Sequence, residues 1–338
     1  MASTKTSETK VSPHVSLGLS PDNLMQIYYK MVLTRALDER AWALNRMGKV
    51  GFVASCRGHE AAQIGSASVI RPGVDFVLPY YRDLGVVMTV GLTPREQMLS
   101  VLAKAEDINT HGRQMPGHWG HAGLRIISGS SPVATQLLHA AGIAYASKLK
   151  QEDAVSFVYF GDGATSKGDT HEAMNFAGIY KLPIVFICEF NGLAISAPQE
   201  KQMAVQNVAD RARGYGFPGV TVDGFDVFAV YEATREAWER ARRGEGPTFI
   251  ECKVYRLFPH SSDDDDRRYR SQEEVEAARK KDPLDRFRSY LRAEGLLDDA
   301  KDAEIQSRVK REVDEATDYA ERAPDPAPGD LFTQVYAE

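Results

Sequence analysis

Two apolar runs frame the middle of the chain. Val155–Phe160 (VSFVYF) and Pro183–Cys188 (PIVFIC) are continuous, β-branched and aromatic, with no polar alternation. That pattern predicts strands buried on both faces, as in a parallel sheet. Between them, Asp169–Tyr180 has helical periodicity, with Asp169 and Glu172 at capping-box spacing. The predicted unit is strand–helix–strand, with Gly161-Asp162-Gly163 after the first strand and Asn191-Gly192 after the second. Open α/β sheets bind ligands at those carboxyl ends.

The flanking pattern extends the same architecture. Ser20-Pro21 predicts the start of a long helix that Gly48 ends. A helix of small residues is expected after Gly58 (GHEAAQIGSASVI), where His59 and Glu60 read equally as a structural pair or as functional groups. Thr93-Pro94, supported by Glu96, predicts a helix to about Ala105, and Ser131-Pro132 is expected to cap another that runs to Lys150. Between these, Thr110–Gly129 is rich in His and Gly without a period, which predicts a long irregular segment of the kind that often carries function. A helix near Ala204–Tyr215, a strand in GVTVDG, a helix from Val227 capped by Asp226 and a strand in TFIECKVYRL complete a further α/β repeat. Charged helices are expected from Gln272 to Arg322, followed by the stiff break PDPAPGD. The expected fold class is α/β, a mostly parallel sheet with helices on both faces, plus a C-terminal helical extension. Its expected divisions are a flexible arm over 1–20, an α/β domain over 21–271 and a helical region over 272–338. The apolar end of that region, LFTQVYAE, suits docking on a partner.

Composition narrows the setting. The chain has 338 residues, 43% of them hydrophobic, enough for a large core in one or two domains. A net charge of −6 with no basic stripe argues against nucleic acid. Cys56, Cys188 and Cys252 are widely spaced, which fits a reducing cytoplasm. No apolar run has the length of a membrane span. The opening MASTKTSETKVSPHVS lacks both an apolar signal core and the arginines of a transit peptide, so a bacterial-type cytoplasmic protein is expected.

The candidate chemistry sits at strand ends. A carboxylate at Asp162 and an amide oxygen at Asn191 are hard donors suited to Mg²⁺. Gly161 and Gly163 would let the backbone approach a bulky anion. Neither G-x-G-x-x-G nor the lysine end of a P-loop is present there. Tyr81-Arg82 follows a short strand-like run, and arginine suits an anion. His111, His118 and His121 match no zinc spacing. His260 leads into Ser261, Ser262, the aspartates 263–266 and Arg267, Arg268 and Arg270, a block expected to form a loop held by internal ion pairs.

The GDG-to-Asn stretch resembles the thiamine-diphosphate motif. More narrowly, from Leu19 onward the chain resembles the alpha subunit of the decarboxylase component of 2-oxo acid dehydrogenase complexes, with the branched-chain type fitting best through SSPVATQ and the HSSDDDD-RYR pattern. The resemblance implies oxidative decarboxylation of a small 2-oxo acid on thiamine diphosphate with Mg²⁺, followed by acyl transfer to a lipoyl-bearing acyltransferase component. It implies cofactor contacts from Tyr81, Arg82, Ser131, Val133, Gly161, Asp162, Gly163, Ala164, Asn191 and His260. Mg²⁺ would be held by Asp162, Asn191 and the Leu193 carbonyl, and a potassium ion by Ser130, Pro132, Thr135 and Gln136. Catalytic roles fall to His260, Arg82 and Tyr81, with His260 expected to titrate near neutrality. Ser261 matches the site that mitochondrial relatives phosphorylate.

There are departures. Val133 stands where the family usually has Leu, which is expected to widen the substrate side by a methylene. Pro259 replaces a second His. Glu189 replaces an arginine that would bind diphosphate, and is expected to weaken phosphate binding unless it points away or another cation compensates. The pyrimidine-activating glutamate has no counterpart in this chain. The resemblance therefore implies an α₂β₂ heterotetramer with a beta subunit and a cofactor at the subunit interface. A pyruvate or acetoin enzyme, and a non-catalytic paralogue, remain open alternatives.

Overall fold

A computed structural model describes residues 12–333. In chain order the helices and strands are α1 (Pro13–Ser16), α2 (Pro21–Arg46), α3 (Glu60–Ala67), β1 (Phe76–Leu78), α4 (Leu84–Val90), α5 (Pro94–Val101), α6 (Thr135–Leu149), β2 (Ser156–Gly161) and α7 (Gly168–Ile179). These are followed by β3 (Ile184–Phe190), β4 (Leu193–Ala194), β5 (Ala197–Pro198), α8 (Gln199–Gln202), β6 (Gly219–Asp223), α9 (Val227–Arg242), β7 (Thr248–Lys253), α10 (Gln272–Arg279), α11 (Pro283–Ala293) and α12 (Asp299–Arg322).

The main sheet is parallel throughout, in the order β1-β2-β3-β7-β6. Its central strands are apolar on both faces because both faces are covered. Phe157, Tyr159, Val185, Ile187 and Ile250 share a core with α2, α3, α9, α11 and α12. Val158, Phe160, Ile184, Phe186 and Phe249 face the other way, onto Ala140, Ala141 and Ala144 of α6 and Ala173 and Ala177 of α7. The small residues of α6 give that helix the close approach expected of them. Gly161 pairs in register with Glu189, so the GDG turn and the end of β3 lie side by side.

Several local expectations change. Ser20 caps α2 in a reciprocal box with Asn23, and Thr93 caps α5 with Glu96, but α5 stops at Val101. Asp169 does not cap α7: the helix starts at Gly168 with Lys167 at its N-cap, and no side chain bonds the first turn. Ser131 does not cap α6 either. That helix begins at Thr135 after Ala134, whose φ is +78°, and Ser131 instead meets His118 Nε2 at 2.5 Å. The helix expected near 204–215 is 3₁₀ and starts at Val208. The arm expected over residues 1–20 is ordered from Ser12 onward: α1 buries His14, and Leu17 and Leu19 join the core. The rest of that arm, and the end of the apolar tail, lie outside the described residues. The C-terminal helices share one core with α2 and the sheet. Among the described residues no helix is long and apolar enough to cross a membrane, and all three cysteines are buried and free.

Candidate active site

The carboxyl ends of β2 and β3 open into a cavity of about 380 Å³. Asp162, Asn191 and Leu193 line it together with Gly161, Gly163 and Ala164. Tyr81, Arg82 and His260 line it too, as do Ser130, Ser131, Val133 and Gln136. Pro132 and Thr135 are not on its wall; Thr135 Oγ1 donates to the Pro132 carbonyl at 3.1 Å. A larger cavity, of about 750 Å³, lies between the ends of β6 and β7 and helices α10 and α11, away from every one of these residues.

Asp162 is almost wholly buried as the chain turns from β2 into a 3₁₀ segment. Burial pushes its carboxyl above the usual carboxylate range, although Gln202 Nε2 donates to Oδ2 at 2.9 Å. A divalent cation would relieve that cost directly. Asn191 Oδ1 accepts from the Leu193 amide at 3.2 Å, which fixes the loop after β3. Among the described residues no three His, Cys, Asp or Glu side chains form a metal cluster. An ion beside Asp162 therefore needs amide, carbonyl and ligand oxygens. Gln202, on the short polar turn α8, carries a buried Oε1 without a partner; nothing in its local sequence singles it out. The two glycines differ in what they allow. A Cβ on Gly163 would lie 2.9 Å from the Ala194 Cβ, so Gly163 is needed by the β4–β5 hairpin itself. A Cβ on Gly161 would meet only Tyr80, at an ordinary 3.9 Å.

Positive charge faces the same space. Arg82 is buried, donating to the Ser55 carbonyl at 2.5 Å and the His260 carbonyl at 3.2 Å. The second cation is Arg256, just past β7. It is buried as well, and it donates to the Ile195 carbonyl at 2.9 Å and Tyr269 Oη at 3.1 Å. Neither arginine forms an ion pair within 4.0 Å among the described residues, and each has a buried Nε without a partner. Burial lowers the Arg256 pKa, with Arg82 the next cause. Two buried guanidiniums beside a cavity, neither held in an ion pair, suit a multiply charged anion. Arg256 was legible only by position: it follows a parallel strand next to β3, as Asp162 and Asn191 follow theirs.

His260 sits between the two cations. Arg256 Nη1 lies 3.2 Å from its Nδ1 and Arg82 Nη2 lies 3.5 Å away. Guanidinium can only donate, so Nδ1 is the acceptor and Nε2 carries the proton. Tyr81 packs edge-on against the ring at 5.9 Å. Burial, then the charges of Arg82 and Arg256, lower the His260 pKa to about 4. The expectation of titration near neutrality is therefore corrected: at pH 7 this imidazole is neutral. A ¹⁵N- or ¹H-NMR titration of the ligand-free protein is expected to place its midpoint near 4. A midpoint at the ordinary value of about 6.5 would contradict the arrangement.

The loop after His260 is tied inward. Asp264 accepts from the His260 amide at 2.8 Å and from Tyr269 Oη. Arg270 bonds the Arg256 and Phe258 carbonyls and pairs with Asp266, while Arg267 pairs with Asp265. The expected internal ion pairs are thus present. Ser261 is buried. In the irregular segment before α6, His118 also contacts the Met115 carbonyl, His121 accepts from the Leu124 amide and His111 meets the Ala105 carbonyl. Each of these three histidines has a local partner of its own.

Glu189 points away from the cavity. It is fully buried behind the cavity wall, where His59 Nδ1, Tyr80 Oη and Gln63 Nε2 all meet its Oε2, at 2.6, 2.8 and 3.1 Å. Its Oε1 and Asp83 Oδ1 have no other partner, and the two carboxyl groups face each other. Burial and the Glu189 charge push Asp83 well up, so Asp83 carries the proton and Glu189 the charge. His59 thus pairs with Glu189, while Glu60 pairs with Arg35 at 2.6 Å. The cavity wall carries a second cation, Arg256, where position 189 offers none.

Comparison with known proteins agrees with this geometry. Residues 28–329 match the family model described as dehydrogenase E1 component. The chain is 53% identical over 325 residues to the 2-oxoisovalerate dehydrogenase subunit alpha of Bacillus subtilis, covering 96% of this chain and 98% of that one. It is 42% identical to the 3-methyl-2-oxobutanoate dehydrogenase subunit alpha of Mycobacterium tuberculosis, over 95% of this chain and 84% of that one. It is 39% identical to the pyruvate dehydrogenase E1 component subunit alpha of Staphylococcus epidermidis, again over 95% and 84%. Matching the family model over most of its length, and these relatives nearly end to end, the chain belongs to the dehydrogenase E1 component family.

Proposed function

We propose that this chain is the alpha subunit of a branched-chain 2-oxo acid dehydrogenase, working with a beta subunit and a lipoyl-bearing acyltransferase component. The reaction is oxidative decarboxylation of a branched 2-oxo acid with transfer of the acyl group to the lipoyl arm. The observation that carries this reading is the pairing of a buried, cation-seeking Asp162 with two buried arginines that form no ion pair, all on one cavity. A diphosphate with its divalent ion answers both needs. The 53% identity to a 2-oxoisovalerate enzyme's alpha subunit supports the branched substrate.

Thiamine diphosphate supplies the electron sink for the pair released when the C1–C2 bond of a 2-oxo acid breaks. In this reading Asp162, Asn191 and the Leu193 carbonyl hold Mg²⁺. Arg82 and Arg256 face the phosphate charge, while Gly161, Gly163, Ala164, Ser131 and Val133 shape the wall. Ser130, Pro132, Thr135 and Gln136 belong to the segment proposed for potassium, where Gln136 Oε1 is buried without a partner. His260, neutral and protonated on Nε2, would donate a hydrogen bond to reacting oxygen, and Tyr81 packs against its ring and bounds the cavity. The exposed Leu331 and Phe332 fit a tail that docks on the partner subunit.

The test is turnover of the co-purified alpha–beta complex, with thiamine diphosphate, Mg²⁺ and an artificial electron acceptor. 3-Methyl-2-oxobutanoate and pyruvate are compared side by side. The expected kcat/KM is at least about tenfold higher for the branched acid, since a methylene or two in an apolar pocket discriminates by roughly 10–200-fold. Equal or better use of pyruvate would move the chain to the pyruvate class.

A further inference from the structure

Glu189 belongs to no part of the proposed chemistry, yet it is the most heavily bonded carboxylate behind the cavity. One of its oxygens collects three donors, two from α3 and its N-cap and one from a separate turn. His59 precedes α3, Gln63 lies within it, and Tyr80 comes from the turn between β1 and α4. That turn, Tyr80–Asp83, is the one that presents Tyr81 and Arg82 to the cavity. Its other ties lead back to the same cluster. Gln63 Nε2 also donates to the Arg82 carbonyl at 3.0 Å, the Tyr80 amide donates to Asp83 Oδ2 at 2.7 Å, and Asp83 faces Glu189. Glu189 itself is the penultimate residue of β3, two residues before Asn191 and in register with Gly161.

We propose that Glu189 is a positioning residue: it clamps the Tyr80–Asp83 turn to the end of β3, and so fixes Arg82 relative to Asp162 and Asn191. The inference rests on the functional reading above and deepens it, because the group that Arg82 faces is the anionic cofactor. The clamp works through hydrogen-bond geometry. A glutamine at 189 can reproduce that geometry, with its carbonyl oxygen taking the three donors and its amide donating to Asp83. An alanine strands three buried donors at once.

The experiment uses the alpha–beta complex and reads thiamine diphosphate affinity by calorimetry in Mg²⁺, alongside kcat and Tm. Glu189→Ala is expected to weaken cofactor binding about tenfold or more at a temperature where the complex stays folded, the loss typical of a lost outer-shell support. Glu189→Gln is expected to stay within about threefold of wild type, which is under 1 kcal/mol. Tyr80→Phe removes one donor and keeps the packing. It should shift affinity in the same direction by less, and it carries the test if the alanine variant does not fold. The proposal is overturned if Glu189→Ala or Tyr80→Phe lowers Tm while affinity stays at the wild-type value, since the cluster would then only support the fold. It is also overturned if Glu189→Gln loses as much as Glu189→Ala, which would make charge the agent. Tighter binding by Glu189→Gln would mean that Glu189 merely repels the anion, and would overturn it as well. A wild-type complex that binds no thiamine diphosphate sinks the functional reading instead, and the two failures are told apart by that control.

Discussion

Asp162→Ala is expected to abolish turnover, by on the order of 10³-fold or more, and to remove Mg²⁺ dependence from cofactor binding. Loss of a metal's charge stabilisation is worth several kcal/mol, and about 1.4 kcal/mol is a factor of ten. The same substitution should not destabilise the ligand-free protein in proportion. Asp162 is buried and its carboxyl is pushed up by desolvation. For a carboxyl raised on folding, the charged form costs stability, and the cost grows as pH rises through the raised pKa. Asp162→Asn, which keeps the shape and drops the charge, should therefore melt at or above the wild-type temperature at pH 7 without ligand, yet fail to gain stability when Mg²⁺ and thiamine diphosphate are added. Calorimetric scans with and without ligand check both signs. A variant that still gains the wild-type stabilisation would place the ion elsewhere.

Arg256→Met is expected to weaken diphosphate binding by about 2–4 kcal/mol, roughly 30- to 1,000-fold, the range for removing one member of a buried charge contact. It should also loosen the segment from His260 to Arg270. Arg256 bonds the Ile195 carbonyl, Tyr269 and the His260 ring, and its own carbonyl receives Arg270. Ile195 is a β-branched residue held at a φ of +57°, a conformation that needs outside support. Limited proteolysis at the exposed Arg267 and Arg268 reads the loosening, and calorimetry reads the affinity. Arg256→Lys restores charge without the planar fork and should recover only part of either. Unchanged cleavage and unchanged affinity together would show that the two buried arginines are not equivalent.

The strands and their ends were legible because continuous apolar runs have few alternatives. VSFVYF and PIVFIC had to be covered on both faces, and that placed Asp162 and Asn191 side by side. Asp226 was legible as a cap because its bonds are local, to the Phe228 and Ala229 amides. Ser131 and Asp169 carry the same kind of local signal and do something else. In the first case a tertiary partner, His118, takes the hydroxyl; in the second the helix starts earlier, with Lys167 rather than Asp169 at its N-cap. Glu189 illustrates the limit most clearly. One residue of phase along β3 decides whether a side chain faces the cavity or the layer behind it, and its three donors come from residues distant in sequence. The depressed pKa of His260 has the same origin, since the burial of the ring, and after it the charges of Arg82 and Arg256, arise only when segments far apart in the chain converge.

The shared core of α2 with α11 and α12 has a consequence for synthesis. Tyr28 of α2 bonds Asp302 of α12, 274 residues later, and Arg40 bonds Thr317. Ribosomes add roughly 5–20 residues per second, so α2 waits on the order of 15–55 s for the helix that covers it. During that interval Leu24, Ile27, Met31 and their neighbours have only part of their final cover. The nascent chain carries a long adhesive helix that cannot finish docking until translation is nearly over, and chaperone occupancy of this segment on stalled ribosomes should fall only once α12 has emerged.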